Sequence, residues 1–329
     1  MAKIKHLLSF AGLSALAILT TACGGRSVCC NNGEVVGQTF VHKYGVAVPS
    51  NYWTSAGESG VVVSTMADGV VVSRSYSAGT LDGETTYTYP HSSQVQKSET
   101  YDWGTLAREA EFYFDGTPKR ETKYNTPEEG MKTISTWYLS GTPRSIERYQ
   151  DDRLTSGESF TPLNQPDGVI INGQGSRLNR DDYGQLLSTD TIENGQMVLR
   201  QTYYPNGSPK ETIPYNNGLV EGVKKTFLPG GEPDTVEQWA AGQQHGTTTV
   251  YQHGDKFAEV PYTNGDKNGV ECRYRDGNVK VQEISWSAGQ MHGPMNTYVG
   301  EVTKTEWYFK GKPTTKADFD FRTNRPVLR

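Results

Sequence analysis

The feature that most constrains this chain is an internal repeat with a period of about 23 residues, clearest from residue 215 onward. Each unit has an aromatic residue, a Gly three residues later, a second Gly four residues after the first, and a second aromatic residue five residues further on. Such periodicity is typical of arrays in which each unit packs on its neighbours. The first aromatic position is held by Tyr215, Trp239, Tyr262, Trp286 and Trp307, and the second by Phe227, Tyr251, Tyr274 and Tyr298.

A related phrase occurs upstream, where a Gly is followed by Thr or Ser and then by Pro. It is centred on Gly116, Gly141 and Gly207, with aromatic residues before each Gly and another aromatic residue eight residues after it. Weaker matches extend the spacing back to Trp53. The repeats therefore run from about residue 53 to residue 311.

Strand-forming stretches lie between the glycines, because β-branched and aromatic residues suit a pleated, half-buried surface. Asn-Gly pairs, such as those at 206–207 and 264–265, supply the positive φ that tight hairpin turns require. We therefore predict an all-β fold, an elongated single-layer antiparallel sheet of stacked β-hairpin repeats. The stretch 161–182 breaks the rhythm with turn and loop composition, and we predict an insertion there or a linker between two lobes.

The Tyr-x-x-Gly-x-x-x-Gly units and the Tyr-x-x-Asn-Gly phrase at 203–207 resemble MORN repeats in their bacterial variant, over most of residues 53–311. The resemblance implies a sheet of stacked hairpins with a binding or scaffolding role, since MORN segments are not themselves catalytic. Proteins of this variant are commonly labelled as antitoxins of toxin–antitoxin pairs. That label implies an alternative function, the neutralisation of a partner toxin.

The N-terminus has the features of an export signal. Lys3 and Lys5 precede an apolar stretch from Leu7 to Leu19, which is short for a membrane span and typical of a secretory signal peptide. The segment that follows, Thr20-Thr21-Ala22-Cys23, is similar to the lipobox of bacterial lipoproteins. This resemblance implies cleavage between Ala22 and Cys23, acylation of Cys23, and a place in the outer membrane, facing the periplasm or the exterior. An ordinary signal peptide with an incidental Cys is the alternative.

The charge balance excludes one class of partner. Lys and Arg number 32 against 37 Asp and Glu, so the formal net charge is −5 and there is no basic excess to bind a phosphate backbone. We predict no nucleic-acid partner. The predicted partners are membrane lipid, reached through the acyl chains on Cys23, and an unidentified protein or glycan of the cell envelope.

Three cysteines remain after the predicted cleavage, Cys29, Cys30 and Cys272. In an oxidising compartment, one disulfide from Cys29 or Cys30 to Cys272 is one expectation, and free or variably oxidised thiols are the other. No cysteine or histidine spacing in the sequence matches a zinc site. We predict neither a metal nor a cofactor.

No set of residues in the sequence has catalytic spacing. His245 and His292 occupy the same repeat slot as Asn268, which indicates a turn position rather than a catalytic one. The sequence contains no nucleophile elbow of the Gly-x-Ser-x-Gly type. We predict a non-enzyme, and the acidic pairs at 128–129 and 181–182 leave an envelope hydrolase as a lesser alternative.

The two aromatic rows are the candidate surface. Rings aligned along a sheet can stack on sugars or grip a peptide, but packing between repeats is the interpretation that we favour. The predicted function is that of a membrane-anchored, non-catalytic binding or scaffolding lipoprotein. The expectations divide the chain into a lipoprotein signal peptide (1–22), a lipidated N-terminus and tether (23–50), diverged repeats (51–160), an insertion or linker (161–182), clearer repeats (183–311) and a C-terminal capping tail (312–329).

Overall fold

The computed structural model describes residues 33–124 and 130–323, so the predicted signal peptide, Cys23, Cys29 and Cys30 lie outside the described residues. The described chain forms 28 strands and two short helices. The strands are β1 Val35–His42, β2 Ala47–Val48, β3 Gly60–Met66, β4 Val71–Ser77, β5 Thr80–Thr88, β6 Val95–Asp102, β7 Thr105–Phe112, β8 Pro118–Tyr124, β9 Met131–Trp137, β10 Pro143–Gln150, β11 Arg153–Phe160, β12 Pro166–Ile171, β13 Gln174–Arg180, β14 Leu186–Glu193, β15 Gln196–Tyr203, β16 Pro209–Asn216, β17 Leu219–Val220, β18 Gly222–Phe227, β19 Pro233–Ala240, β20 Gln243–Gln244, β21 Gly246–Gln252, β22 Asp255–Thr263, β23 Asp266–Lys267, β24 Gly269–Arg275, β25 Val279–Ser287, β26 Gln290–Val299, β27 Val302–Phe309 and β28 Lys312–Thr314. The helices are α1 Ser50–Ser55 and α2 Lys316–Thr323.

All of these strands belong to one antiparallel sheet, and from β3 to β28 the pairing follows chain order. β1 lies between β2 and β3. Each of the two-residue strands β17, β20 and β23 pairs with the end of the strand before it, next to the hairpin turn. The chain then continues into β18, β21 and β24. Antiparallel neighbours need only short connections, which the repeat supplies. The structure confirms the predicted all-β, single-layer sheet of hairpin repeats.

The glycine pattern produces turns along the two long edges of the sheet. We name edge 1 the edge that carries the turn at Asn217 and Gly218. These two consecutive residues have positive φ, 49° and 79°, which is the geometry of a type I′ hairpin turn. On edge 2, the turn at Gly116 is wider. Its N–H donates to the Tyr113 carbonyl at 2.9 Å, and Gly116 alone has a positive φ, 86°. Each repeat thus contributes one turn to each edge.

Successive turns along edge 1 are joined by main-chain hydrogen bonds. The N–H of a turn glycine donates to a carbonyl two residues beyond the turn glycine of the preceding unit. Because these bonds involve only main-chain groups, they can form whatever side chains a unit carries. In the regular units the pairs are Gly242 with Val220 (3.0 Å), Gly265 with Gln244 (2.9 Å), Gly289 with Lys267 (2.9 Å) and Gly311 with Met291 (2.9 Å).

The strand registers define two faces, because directly opposite residues on antiparallel strands point to the same side of a sheet. We name face A the side that carries Val72, Asp190 and Trp286, and face B the side that carries Ser98 and Cys272. Most of the buried strand residues are on face A, Val72 and Asp190 among them. Face A therefore takes the place of a conventional core.

The stretch 161–182 is not an insertion or a linker, so this part of the prediction was wrong. It contains β12 and β13, which pair with each other and with β11 and β14. The repeat is difficult to recognise in this part of the sequence for two reasons. Gly173 and Gly175 are separated by one residue instead of three, and Ile170 stands where other units have an aromatic residue. The sheet is therefore continuous and is not divided into two lobes.

A helix packs at each end of the sheet, and the two helices lie on opposite faces. On face A, α1 places Trp53 against Phe40 and Tyr76, with ring centroids 5.6 and 6.3 Å away. On face B, α2 places Phe319 against Trp307, with ring centroids 5.2 Å apart. Strands β1 and β2 lie inside the predicted tether, so the sheet begins earlier than expected, and α2 lies inside the predicted capping tail.

Candidate functional site

Four residues of the first predicted row, Tyr215, Trp239, Tyr262 and Trp286, lie on face A. From Trp239 onward, each ring stands directly opposite the second glycine of a unit, on the neighbouring strand. The pairs are Gly222 with Trp239, Gly246 with Tyr262 and Gly269 with Trp286. A ring packed across the strands from a glycine restores contact that the missing side chain would otherwise provide.

The fifth residue, Trp307, does not belong to this row. Gly293, the next glycine in the series, stands opposite Tyr308. Side chains alternate between the two faces along a strand. Trp307 is one residue away from the position that matches the other four rings, so it lies on face B, where it packs on α2. Counting three residues back from the turn glycine Gly311, as in the other units, selects Tyr308.

The second row lies on face B, where two of its tyrosines belong to clusters that repeat from one unit to the next. The Tyr274 hydroxyl donates to Glu259 Oε2 at 2.6 Å, and the Tyr298 hydroxyl donates to Glu283 Oε2 at 2.7 Å. In each cluster a lysine, Lys256 or Lys280, also bonds the carboxylate. The hydrogen bond to Glu259, together with burial, raises the pKa of Tyr274 to about 12. These clusters link neighbouring strands.

None of the nine predicted rings is fully buried or freely exposed. Lysine side chains cover some of them, since Lys267 Nζ lies 4.5 Å from the ring centroid of Trp286 and Lys256 Nζ lies 4.1 Å from that of Tyr274. Trp239 donates from its indole nitrogen to Glu237 at 2.7 Å. The two lysine contacts join different strands, whereas the Trp239–Glu237 bond lies within β19, and together these contacts leave only part of each ring for a ligand.

A further tyrosine series, which the sequence analysis did not single out, lies along edge 2. Each of these tyrosines begins a turn, and its hydroxyl donates to a main-chain carbonyl one repeat later. In three of the four, the tyrosine stands three residues before the turn glycine, and this spacing is the signal visible in the sequence. The four bonds are Tyr89 to Phe112 (2.8 Å), Tyr113 to Trp137 (3.2 Å), Tyr138 to Phe160 (2.6 Å) and Tyr204 to Phe227 (2.8 Å). Burial and the nearby Asp182 carboxylate raise the pKa of Tyr113 to about 12.

Between β9 and β15, turns that are two repeats apart come into contact, and we name this region the central bend. On edge 2, the Leu139 N–H donates to the Asp182 carbonyl at 3.3 Å, and on edge 1 the Leu154 N–H donates to the Gly195 carbonyl at 3.0 Å. Both bonds pass over an intervening turn. The sheet therefore curls so that β10 and β13 approach each other across face A.

Two features of the sequence allow this curl. Leu154, Ile170 and Ile192 form a buried aliphatic cluster near edge 1. Gly168 provides the clearance, because a Cβ at that position would lie 2.6 Å from Ser159 Oγ and 2.8 Å from the main-chain oxygen of Ser176. A side chain there would force the strands apart.

The centre of the bend holds a buried carboxylate, Asp190. Its side chain accepts hydrogen bonds from Arg177 Nη2 (2.8 Å), from Arg200 Nε (2.7 Å) and from Asn179 Nδ2 (3.0 Å). Burial alone would raise the pKa of Asp190, but the bonds from Arg200 and Arg177 outweigh burial and lower the pKa. The network is therefore ionised at neutral pH and ties together β13, β14 and β15.

Beside this network, face A forms a cleft of about 360 Å³. Four arginines line it, Arg120 from β8, Arg144 from β10, and Arg177 and Arg180 from β13, together with one carboxylate, that of Glu147. The remaining lining residues are Ile134, Thr136, Ser145, Tyr149, Leu178 and Asn179. A second cleft of about 210 Å³ shares Arg120 and Ile134, so the recessed surface runs from β7 to β13.

The other residues considered from the sequence do not join this cleft. Cys272 has a free thiol on face B, and its predicted disulfide partners lie outside the described residues. His245 is exposed at a turn, and His292 packs on Phe309 at 5.1 Å. Asp182 forms an ion pair with Arg144, whereas the pair at 128–129 lies outside the described residues.

Residues 33–124 and 130–323 contain neither a cluster of metal ligands nor a helix suited to cross a membrane. Across this part of the protein, no three His, Cys, Asp or Glu residues are grouped as ligands for a metal ion. Nor does any helix within it have the length and apolar character needed to cross a membrane.

The fold and the cleft define a class, that of open, single-layer β-repeat proteins. No protein-family model matches the chain, and no curated protein matches it. Among solved structures, the chain matches one titled "Crystal Structure of TcdB2-TccC3", with 12% sequence identity and a TM-score of 0.14. The match covers 84% of this chain and 18% of that one. At such a TM-score the likeness carries no argument about function.

Proposed function

We propose that this protein is a membrane-anchored, non-catalytic binding or scaffolding module whose partner is a protein or glycan of the cell envelope. The observation that supports this function most strongly is the recessed surface of face A at the central bend. Its two clefts are lined by charged and hydroxyl-bearing side chains that belong to five strands, β7, β8, β9, β10 and β13. Concave surfaces with convergent polar groups are the usual binding sites of proteins.

The scaffold is suited to present such a surface in a fixed shape. Main-chain bonds between turns run along edge 1, and tyrosine hydroxyls connect turns along edge 2. A surface that is already ordered loses less conformational freedom when a partner binds. Binding therefore needs no large rearrangement of the sheet.

The anchor belongs to the same proposal. Two or more acyl chains on Cys23 would hold the protein at the outer membrane stably, since each buried methylene contributes about 0.8 kcal/mol. The units are proposed to be MORN-type repeats, and their glycine and aromatic spacing supports this assignment. Both proposals rest on the sequence.

The anchor can be tested by metabolic labelling with palmitate and by mass spectrometry of the mature N-terminus. We expect an acylated Cys23 as the first residue, and no label in a Cys23→Ser variant. An unprocessed, unlabelled Met1 would contradict the anchor and would favour the antitoxin alternative.

Binding can be tested by capture from solubilised cell envelopes with the mature lipoprotein as bait. Tyr149→Ala changes face A and Tyr298→Ala changes face B, and each removes a hydroxyl that bonds a carboxylate (2.5 Å and 2.7 Å). We expect Tyr149→Ala to weaken capture of a specific component about tenfold, as loss of a central contact does, and Tyr298→Ala to leave it unchanged. Equal capture by both variants, or no envelope component captured by the unaltered protein, would contradict the proposal.

A further inference from the structure

We propose that the arginine-lined cleft at the central bend binds an acidic glycan through that glycan's anionic groups, carboxylate or phosphate. This inference rests on the proposed function and names the chemistry of the partner. The whole chain has a formal charge of −5, yet eight of its fifteen arginines lie between residues 108 and 200. Four of those eight line one cleft, whereas the lining contains a single carboxylate. The cleft is therefore a local departure from the acidic character of the chain.

Three of the four guanidinium groups are held in place by carboxylates that do not line the cleft. A guanidinium has five N–H donors, so a fixed arginine keeps donors for a ligand, and its orientation is set in advance. The three pairs are Arg144 Nη1 with Asp182 Oδ1 (3.0 Å), Arg177 Nη2 with Asp190 Oδ2 (2.8 Å) and Arg180 Nη2 with Asp167 Oδ2 (2.6 Å).

The fourth guanidinium is that of Arg120, which shares the lining of the second cleft with Glu109 and Glu111. Its side chain makes no ion pair and no hydrogen bond with any residue that the structure describes, although Glu111 stands opposite it on β7. It is exposed and lines both clefts. Asp182, Asp190 and Asp167 already pair with the other three guanidinium groups, and Glu147 lies 3.7 Å from Arg177 Nη1. Arg120 is therefore the guanidinium in the larger cleft that is left to pair with an anion.

The character of the lining favours a glycan over a peptide. Protein partners are usually anchored by several apolar or aromatic side chains in apolar pockets. Here only Ile134, Leu178 and the ring of Tyr149 are of that kind, and the Tyr149 hydroxyl already bonds Glu147. Hydroxyl and amide groups of Thr136, Ser145 and Asn179 stand among the arginines, and these groups match sugar hydroxyls. A volume of about 360 Å³ is at the small end of the range for ligand sites, so the cleft fits a short section of a chain.

The experiment is titration calorimetry of the mature lipoprotein with four probes: an oligogalacturonate, its neutral methyl ester, a phosphorylated oligomannose and an oligoglutamate peptide. The key variant is Arg120→Glu, and the matched control is Arg275→Glu, an exposed arginine far from the cleft whose replacement changes the net charge equally. Arg120 lies at the surface without partners, so its replacement should not affect folding, which circular dichroism can verify.

We expect one of the acidic glycans to bind, and Arg120→Glu to weaken its binding about tenfold or more, because a charge-assisted contact becomes a repulsion. Arg275→Glu should leave the affinity unchanged, and the methyl ester should fail to bind. Preference between the galacturonate and the phosphorylated glycan identifies carboxylate or phosphate as the natural group.

Three results would overturn the inference: equal binding by the two variants, binding of the ester as tight as that of the acid, or tighter binding of the glutamate peptide than of either acidic glycan. If the envelope component captured by the unaltered protein is also captured equally by Arg120→Glu, the cleft inference fails while the proposed binding function stands. If nothing is captured, both fail.

Discussion

The C-terminal units and the central bend use the same backbone plan with different side chains. In the C-terminal units a ring on face A covers a glycine on the neighbouring strand, as Trp286 covers Gly269. At the central bend Ile192 takes the ring's place opposite Gly175. A main-chain bond between turns is still present, although its acceptor is the preceding turn glycine itself: the Gly195 N–H donates to the Gly173 carbonyl at 3.0 Å. The comparison shows that the hairpin repeat depends on its turns more than on its aromatic residues.

The two regions also differ in where their charged side chains lie. The C-terminal units repeat their lysine–glutamate–tyrosine clusters on face B, so that neighbouring units are nearly equivalent. The central bend concentrates arginines and a buried carboxylate on face A instead, and contacts there extend over two repeats. The irregular region forms the recess described above, and the candidate site lies there.

The largest expected effect comes from Asp190→Ala. Removing this buried carboxylate leaves Arg177 and Arg200 facing each other, at a cost of about 3 kcal/mol in the free energy of unfolding. Glu271→Ala is the matching change in the C-terminal units. Lys267 and Arg273 there are 30% and 38% exposed, against 22% for Arg177, so both can turn to water more readily than Arg177, and about 1.5 kcal/mol is expected. Urea unfolding measures both. A larger loss from Glu271→Ala would reverse the comparison.

The next effect concerns the curl of the sheet. Gly168→Ala places a Cβ against Ser159 Oγ and the main chain of Ser176, so we expect a loss of about 1–3 kcal/mol. In Gly37→Ala the nearest atom is Thr65 Cβ at 3.9 Å, and the change should stay within about 0.5 kcal/mol. Hydrogen exchange should show faster opening of β12 and β13 in the first variant only. Equal behaviour of the two variants would contradict the close approach at the bend.

Much of this architecture could be predicted from the sequence, and the reason is local. A pair such as Asn217-Gly218 specifies its own turn, and the spacing of such pairs fixes strand length. The central bend escaped prediction because its turns depart from the pattern, as at Asp151 and Asp152, which form a tight turn without glycine (φ 47° and 64°). The aromatic row was predictable except for the one-residue alignment error at Trp307.

The candidate site was not predictable, because its members are brought together by curvature. Arg177 lies 28 residues from Tyr149, and their side chains meet at 3.5 Å only because β13 folds back toward β10. Nothing in the spacing of these residues indicates that approach. The clustering of arginines between residues 108 and 200 was the available signal, although composition alone does not say which side chains converge.

A smaller effect distinguishes the two faces at the C-terminal end. Trp307→Ala removes one of the three rings that Phe319 packs on, so the amides of α2 should exchange faster, by the equivalent of about 1 kcal/mol. Tyr308→Ala changes the ring opposite Gly293 on face A and should leave α2 protected. Faster exchange of α2 in the Tyr308 variant alone would mean that the register of β27 is shifted by one residue.

The smallest expected effect is on how the free energy of unfolding depends on pH. Burial alone would raise the pKa of Asp190 and of Glu271, but hydrogen bonds from their cationic neighbours lower both pKa values below the ordinary 3.8 and 4.5. The stability that they contribute is therefore complete above about pH 5 and is lost as the pH falls through 4 and below. Urea midpoints between pH 7 and pH 3 should fall less steeply for Asp190→Asn than for the unaltered protein. Identical slopes would contradict the ionised state of this carboxylate.

The central claim is that one continuous sheet passes through residues 161–182 and curls there to form the cleft. Its most direct test is residue-resolved hydrogen exchange, supported by nuclear Overhauser contacts across the pairs Gly157–Ile170 and Arg177–Asp190. The account predicts contacts across both pairs and protection of β12 and β13 comparable to that of β24 and β25. Rapid exchange throughout 161–182, with no cross-strand contacts there, would show that this stretch is a linker.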